Sequence, residues 1–542
     1  MSDSSNVSER SERSESSDLS ALHLGDAAHA TGMPTYRALY ERIREGILSG
    51  KLAPSSRLPS TRALASELGV ARGTVEAAYE RLVAEGFVIG RGAAGSRVNP
   101  QLSAARLDAA AKVLTSDAGR RKGVGANVPN SAPTSAPNSA ALPPSVSART
   151  KDSPPAPGPT AESPSHVPLS AHGTPMPLQN GMPAFDEFPR KLWARLAARH
   201  ARHLPSDALS YQDAAGIAPL REAIAGYLAI ARGIHCDPAQ VIVTTGFQGA
   251  LALITRVLLQ PGDAVWCEDP GYFRAHEALR MAGAALVPVP VDNDGLDVAE
   301  GERRAPNARL AVITPSHQSP LSVALPLERR LALLAWAQAN QAWIVEDDYD
   351  SEFRYTGAPL PALKSLDGGE RVLYAGSFGK VLFPGLRLGY LVVPPELCNA
   401  FIAATALLSP VHGWIEQATV TDFMTQGHFS RHIRRMRQLY GERRAALADA
   451  LRQHLGGRIE LAQQAGGMHL LGWIEPHRND RAVSRAAHPH GLAPGALSYF
   501  RIERELPPAL VMSFTNVPVA SADDVAKRLA RAFDDDEKFR LV

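Results

Sequence analysis

The stretch SFGKVLFPGLRLGY (377–390) sets a lysine just beyond an apolar run, with Ser377 three residues before Lys380 and Arg387 seven after it. That grouping suits Schiff-base chemistry. The Lys380 amine can hold an aldehyde cofactor as an imine, while a hydroxyl and a guanidinium bind a dianionic phosphate. Upstream, WIVEDDYD (343–350) puts Asp347 and Tyr349 at the end of another apolar run. A carboxylate there can pair with a pyridinium nitrogen and make the ring an electron sink, and a phenol can hydrogen-bond the ring oxygen. TTGFQGALALI (244–254) reads as strand, glycine and helix, so the amides of Gly246, Phe247 and Gln248 can receive a phosphate. EDPGY (268–272) offers Tyr272 as an aromatic to stack on the ring.

Each feature has a plainer reading. A lysine after a strand is ordinarily surface charge, and acidic pairs at strand ends are often solvated. Glycine at a strand–helix junction is usually geometry, and an aromatic after Pro-Gly usually packs. Their joint order and spacing favour the cofactor site.

A second constellation lies near the N-terminus. Tyr36, Leu39, Tyr40, Ile43 and Ile47 recur on one face of a first helix. In PSTRALASELG, Ser60 can cap a second helix that buries Leu64 and Leu68 and ends at Gly69. After a three-residue turn, RGTVEAAYERLVAEG gives a third helix with Val75, Tyr79, Leu82 and Val83 inward. This is a helix-turn-helix, and its third helix presents Arg72 and Thr74 to a major groove. FVIGRGAAGSRV follows, where Gly90, Gly92 and Gly95 formally spell the dinucleotide fingerprint. That motif needs a strand before it and a helix after it; here the order is reversed, so the segment reads as a two-stranded wing. Residues 34–98 hold about 10 basic and 6 acidic side chains, and Arg62, Arg72, Arg91 and Arg97 can meet phosphates. The plainer reading is a small helical interaction domain with solvated arginines.

Both constellations need elements to hold them. Strands are expected at 241–245, 264–269, 285–291, 309–315, 343–348, 372–378 and 388–393, with helices between them, as around Leu327–Asn340. Alternation of apolar strands with helices implies a mainly parallel sheet covered on both faces, an α/β domain. After about residue 420 longer helices and a few strands suggest a smaller C-terminal lobe. Four segments follow: a polar tail (1–33), the winged helix-turn-helix (34–98), a linker (99–172) and the α/β domain (173–542). Roughly half of the linker residues are Ser, Pro or Ala. As a flexible coil it would span roughly 50 Å, enough to let the two folded parts move almost independently.

Composition narrows the function classes. With 57 basic and 55 acidic side chains the chain is no polycation. Three scattered cysteines exclude a disulfide framework and fit the cytoplasm. The polar N-terminus is no secretory signal, and no run of about 18 apolar residues could span a membrane. His428 and His432 are spaced i, i+4 but lack a third ligand, so no metal is expected.

Residues 34–98 resemble the GntR family, in which positions matching Arg62, Arg72 and Thr74 contact operator DNA. Ala71 departs from the family pattern, where a serine commonly caps the recognition helix. Residues 176–535 resemble the fold-type I pyridoxal-phosphate enzymes of the aspartate aminotransferase superfamily. That resemblance implies pyridoxal 5'-phosphate as cofactor, imine-linked to Lys380. Asp347 would lie on the ring nitrogen, Tyr349 on the ring oxygen, and Ser377 and Arg387 on the phosphate. Tyr211, in YQDAAGIAPLR, would reach the phosphate of a neighbouring subunit in a homodimer. HQSP (317–320) matches the family's asparagine-proline turn loosely, leaving Gln318 as a weak candidate.

The order GntR-type domain, linker, aminotransferase-like domain resembles the MocR subfamily of bacterial regulators. It implies a cytoplasmic dimer that binds double-stranded operator DNA and senses a small molecule rather than an efficient enzyme. A working aminotransferase with an attached DNA-binding domain is one alternative; a structural dimerisation domain that has lost its cofactor is the other, and the joint retention of Lys380, Asp347, Tyr349, Ser377 and Arg387 argues against it. The superfamily's carboxylate-clamping arginine falls on Val511 in ALVMSFTNVP, which has no donor. Either the effector is no ordinary α-amino acid, pyridoxal phosphate itself or an amine serving instead, or Arg501 or Arg504 substitutes.

Overall fold

The computed structural model describes residues 35–48, 51–84, 87–90, 95–100, 174–356, 360–367, 371–408 and 413–540. The expected tail and nearly all of the expected linker lie outside the described residues.

The N-terminal segment folds as three helices and a wing: α1 (Thr35–Leu48), α2 (Thr61–Leu68), α3 (Arg72–Ala84), β1 (Val88–Gly90) and β2 (Ser96–Val98). Ser60 caps α2, its hydroxyl accepting from Ala63 N at 3.1 Å, and Gly69 ends it at φ +63°, which a side chain would strain. Leu39, Ile43 and Ile47 of α1 close on Val75, Ala78, Tyr79 and Leu82 of α3. Two expectations fail here. Tyr36 is 38% exposed and Val83 41% exposed, while Ala78 is fully buried. The α3 stripe runs 75, 78, 79, 82, and Val83 lies about 100° beyond its last member. The wing strands pair antiparallel, Val88 with Val98 and Gly90 with Ser96, as the rejection of the dinucleotide fingerprint requires.

After a first helix at Arg190–Arg202, the second body runs through α4 (Ala218–Ala231), β3 (Val241–Thr244) and α5 (Phe247–Leu258). It continues through β4 (Ala264–Asp269), α6 (Phe273–Met281), β5 (Ala285–Asp292), β6 (Gly295–Leu296), β7 (Leu310–Ile313), α7 (Leu327–Ala339), β8 (Trp343–Asp348), β9 (Val372–Ser377) and β10 (Gly389–Val392). The strand order is β3-β10-β9-β8-β7-β4-β5-β6. β5, β4, β7, β8 and β9 run parallel, whereas β10 is antiparallel to both of its neighbours and β6 to β5. The strands are apolar on both faces because helices cover both, and Val241–Val243, Leu310–Ile313 and Trp343–Val345 are all buried, while β4 and β8 turn acidic at their carboxyl ends.

The smaller lobe is built on the 28-residue helix α8 (His428–Leu455). A four-stranded antiparallel sheet, ordered β11 (Ile459–Leu461), β12 (His469–Ile474), β14 (Ala509–Ser513) and β13 (Gly495–Ala496), and the final helix α9 (Ala522–Arg540) complete it. No helix among the described residues is long and apolar enough to cross a membrane.

Candidate functional site

The candidate residues gather at the carboxyl ends of β4, β7, β8 and β9. β9 ends at Ser377, whose hydroxyl accepts from Gly379 N at 3.1 Å and opens the one-turn helix Phe378–Val381 bearing Lys380. Lys380 Nζ donates to Gly181 O at 3.3 Å. Burial pushes the Lys380 ammonium below its ordinary range, Asp347 and Asp350 pull it back up, and Arg274 adds to the depression. The amine is thus drawn toward the neutral, nucleophilic form.

Asp347, near the end of β8, is held well above the usual carboxylate range, first by burial and then by the adjacent Asp348, with Lys380 opposing. Glu268 lies close and is pushed up to about 7 by burial, against hydrogen bonds from Thr314 and Gln318. Tyr349 is raised by burial and by the Asp350 and Asp347 charges, while a hydrogen bond with the Ser319 side chain lowers it. A narrow cleft lined by Phe247, Glu268, Tyr272, Thr314 and Asp347 joins these strand ends. Burial raises the Tyr272 phenol; Arg274, Asp347 and Arg387 act on it, and the Gln248 side chain faces it.

The residues fit a phosphorylated pyridine aldehyde. Gly246 opens α5 at φ +79° with nothing within 4 Å of where a Cβ would stand, a cradle at the head of a 12-residue helix. Gln248 Nε2, on the first turn of that helix, is buried without a hydrogen-bond partner. A Cβ on Gly181 would fall 2.4 Å from Lys380 Nζ, so the glycine keeps the amine's space clear.

Other sequence expectations sort differently. Tyr211 stands fully exposed, apart from the cleft. Gln318 is committed to the scaffold: its Nε2 donates to Pro270 O and Ser319 O, both at 2.8 Å, and its Oε1 accepts from Leu321 N at 2.9 Å. Ser319, not Gln318, meets Tyr349. Val511 is fully buried in β14 among Leu471, Leu497 and Phe500. Arg501 Nη1 donates to Leu506 O at 3.1 Å, and the Arg504 charge acts on Asp292. The cation that does act on Lys380 and Tyr272 is Arg274 at the head of α6, which sequence reading missed. Its only signal was adjacency to Tyr272. His432 Nε2 is bonded to Val381 O at 2.9 Å and His428 to Arg431; no metal-holding cluster occurs among the described residues.

On the winged segment Arg62 and Arg72 are exposed and Thr74 is half-buried, all at the starts of α2 and α3. Arg72 Nε is 2.7 Å from Glu76 Oε1, and Arg97 Nη1 donates to Ser55 O at 3.0 Å. Arg91 lies outside the described residues.

Residues 175–529 match the family "Aminotransferase class I and II", and residues 35–98 match "Bacterial regulatory proteins, gntR family". The chain is 38% identical to the probable rhizopine catabolism regulatory protein MocR of Rhizobium meliloti, over 85% of this chain and 86% of that one. It is 34% identical to the HTH-type transcriptional regulator TauR of Rhodobacter capsulatus, over 91% and 95%. The α-aminoadipate aminotransferase LysN of Thermus thermophilus, solved with N-(5'-phosphopyridoxyl)-L-leucine, superposes at a TM-score of 0.62 with 29% identity, covering 68% of this chain and 93% of that one. A winged helix-turn-helix followed by a fold-type I aminotransferase-like body thus makes this chain a member of the MocR subfamily of GntR-type transcriptional regulators.

Proposed function

We propose that the chain is a DNA-binding regulator that carries pyridoxal 5'-phosphate on Lys380 and reads a small molecule through it. The carrying observation is the meeting of Lys380, Asp347, Tyr349 and Tyr272 at the carboxyl edge of one sheet, beside the cradle at Gly246. When bound, the cofactor supplies an aldehyde that captures amines and a ring that accepts electron density. Asp347 holds the ring nitrogen and Tyr349 the ring oxygen. Ser377, Arg387 and the amides of Gly246, Phe247 and Gln248 hold the phosphate, and Tyr272 covers the ring face. The arrangement at Val511 favours an amine or the cofactor itself over an ordinary α-amino acid as effector. Arg274 supplies the cation for any anionic group the effector carries.

DNA recognition belongs to residues 34–98, with Arg62, Arg72, Thr74, Arg91 and Arg97 on operator DNA. Tyr211 serves a partner's site in a homodimer, a role its full exposure leaves open to it. The three cysteines are free, in keeping with a cytoplasmic protein. Sequencing the DNA retained by the full chain, with and without pyridoxal phosphate, tests the proposal. A retained sequence whose yield depends on the cofactor supports it, and cofactor-independent, sequence-random retention refutes it.

A further inference from the structure

Beside Tyr349 lies a buried group that the cofactor site does not use. His317 Nδ1 sits 2.9 Å from Tyr349 Oη and 3.1 Å from Asp350 Oδ1. The approach to Asp350 is too far off line to satisfy it, so both Asp350 oxygens, and His317 Nε2, are buried without a hydrogen-bond partner. Asp350 is 1% exposed and His317 8%. Among the described residues, His317 is the one basic side chain that stands within ion-pair distance of Asp350. The ring has a fitted slot: a Cβ on Gly467 would come within 2.0 Å of His317 Cε1.

These contacts decide where the imidazole proton sits. A buried carboxylate demands a donor, and an orphaned N–H is worse than an orphaned ring lone pair. The proton therefore belongs on Nδ1, facing Asp350 and Tyr349, and the bare Nε2 is the orphan. A protonated Nδ1 cannot accept from Tyr349, so the phenol hydrogen must point elsewhere, toward the cofactor cleft or Ser319. We infer that His317, its Nδ1 beside the Asp350 charge, is a positioning residue that keeps Tyr349 a hydrogen-bond donor toward the ring oxygen of the cofactor. The inference rests on the proposed cofactor site and assigns it a residue that the sequence did not.

The other titratable groups facing this cluster are Asp347 on β8, Tyr355 in the loop after β8, Glu268 on β4, Lys380 after β9, and His469 on β12, whose ring centroid is 5.8 Å from that of His317. His469 is engaged with Pro320 O at 3.0 Å and Ser322 Oγ at 3.1 Å.

Without His317, Tyr349 turns its hydrogen toward the unsatisfied Asp350, and the ring oxygen loses a donor to its anionic form. The test is a pH titration of the visible absorbance of the cofactor-loaded full chain. His317→Ala should raise the midpoint by about 1–2 pH units, the worth of one charge-assisted hydrogen bond. His317→Asn, whose amide N–H can replace Nδ1–H, should restore it and also guards against a variant that fails to fold. Tyr349→Phe should raise the midpoint similarly, and His317→Ala should then add nothing. An unchanged midpoint in His317→Ala, or an equal further shift on the Tyr349→Phe background, overturns the inference while leaving the cofactor site standing. A wild-type chain with no pH-sensitive cofactor band overturns the site and the inference with it.

Discussion

Lys380 Nζ and the backbone of Gly181 occupy the same small space: the amine donates to Gly181 O at 3.3 Å, and a Cβ at 181 would stand 2.4 Å from it. Gly181 also has φ +76°, a left-handed conformation that costs a side chain about 1–2 kcal/mol. Gly181→Ala should lower stability by about that amount in chemical denaturation, and should slow capture of pyridoxal phosphate by displacing the lysine tip. Unchanged stability and capture rate would show that the two do not share this space.

Asp347 exchanges stability for function. Its folded proton affinity is raised well above the ordinary value of 3.8, chiefly by burial. Between 3.8 and the raised folded value the unfolded chain is ionised while the folded one holds the proton, so this group lowers stability as pH rises through that window. Asp347→Asn should therefore raise the melting temperature of the cofactor-free chain at neutral pH. The gain should grow by roughly 1.4 kcal/mol for each pH unit climbed within the window and vanish toward its acid end. The same variant should bind pyridoxal phosphate more weakly, having lost the partner proposed for the ring nitrogen. A destabilised cofactor-free variant at neutral pH would contradict this account.

Arg72 is held by Glu76 at 2.7 Å, but both side chains are exposed, so the pair is weak enough for DNA to displace. Arg72→Ala should cost roughly 1–3 kcal/mol in operator affinity if it reads a base bidentately. If it meets only phosphate, the loss is smaller and the salt slope falls by about one. Unchanged affinity together with unchanged salt dependence would remove Arg72 from the interface.

Val511 packs in a sheet, Arg501 is bonded within its own loop, and the Arg504 charge acts on Asp292. A panel of amines and amino acids, followed by cofactor absorbance, should therefore respond best to non-carboxylated amines. Where a responding amine also carries an anionic group, Arg274→Ala should weaken it about tenfold or more, the worth of one charge-assisted hydrogen bond. Tight, saturable response to a common α-amino acid, abolished by Arg501→Ala or Arg504→Ala, would show that the α-carboxylate clamp survives there. Sustained stoichiometric transamination would favour a working enzyme.

The sheet was legible because strands covered on both faces become apolar runs that turn polar only at their ends: 264–269 and 343–348 match β4 and β8 residue for residue. Direction was not legible. Nothing in LGYLVV distinguishes the antiparallel β10 from a parallel strand, and the two-residue β6 is too short to carry a pattern. Lys380, Ser377, Asp347 and Tyr349 could be read because each closes a strand within one local motif. Arg274, His317 and Ser319 could not, because they meet the site only where β4 and β7 end beside β8. The i, i+4 histidines show the converse. Their spacing was visible, but only packing reveals that His432 points at Val381 O.

The central claim is that one lysine of this regulator carries the cofactor. The full chain should be loaded with pyridoxal phosphate, reduced with borohydride, digested and mapped by mass. One phosphopyridoxylated peptide is expected, containing Lys380 and absent from Lys380→Ala together with the visible absorbance band. Labelling of another lysine, or a band that survives in Lys380→Ala, would contradict the claim.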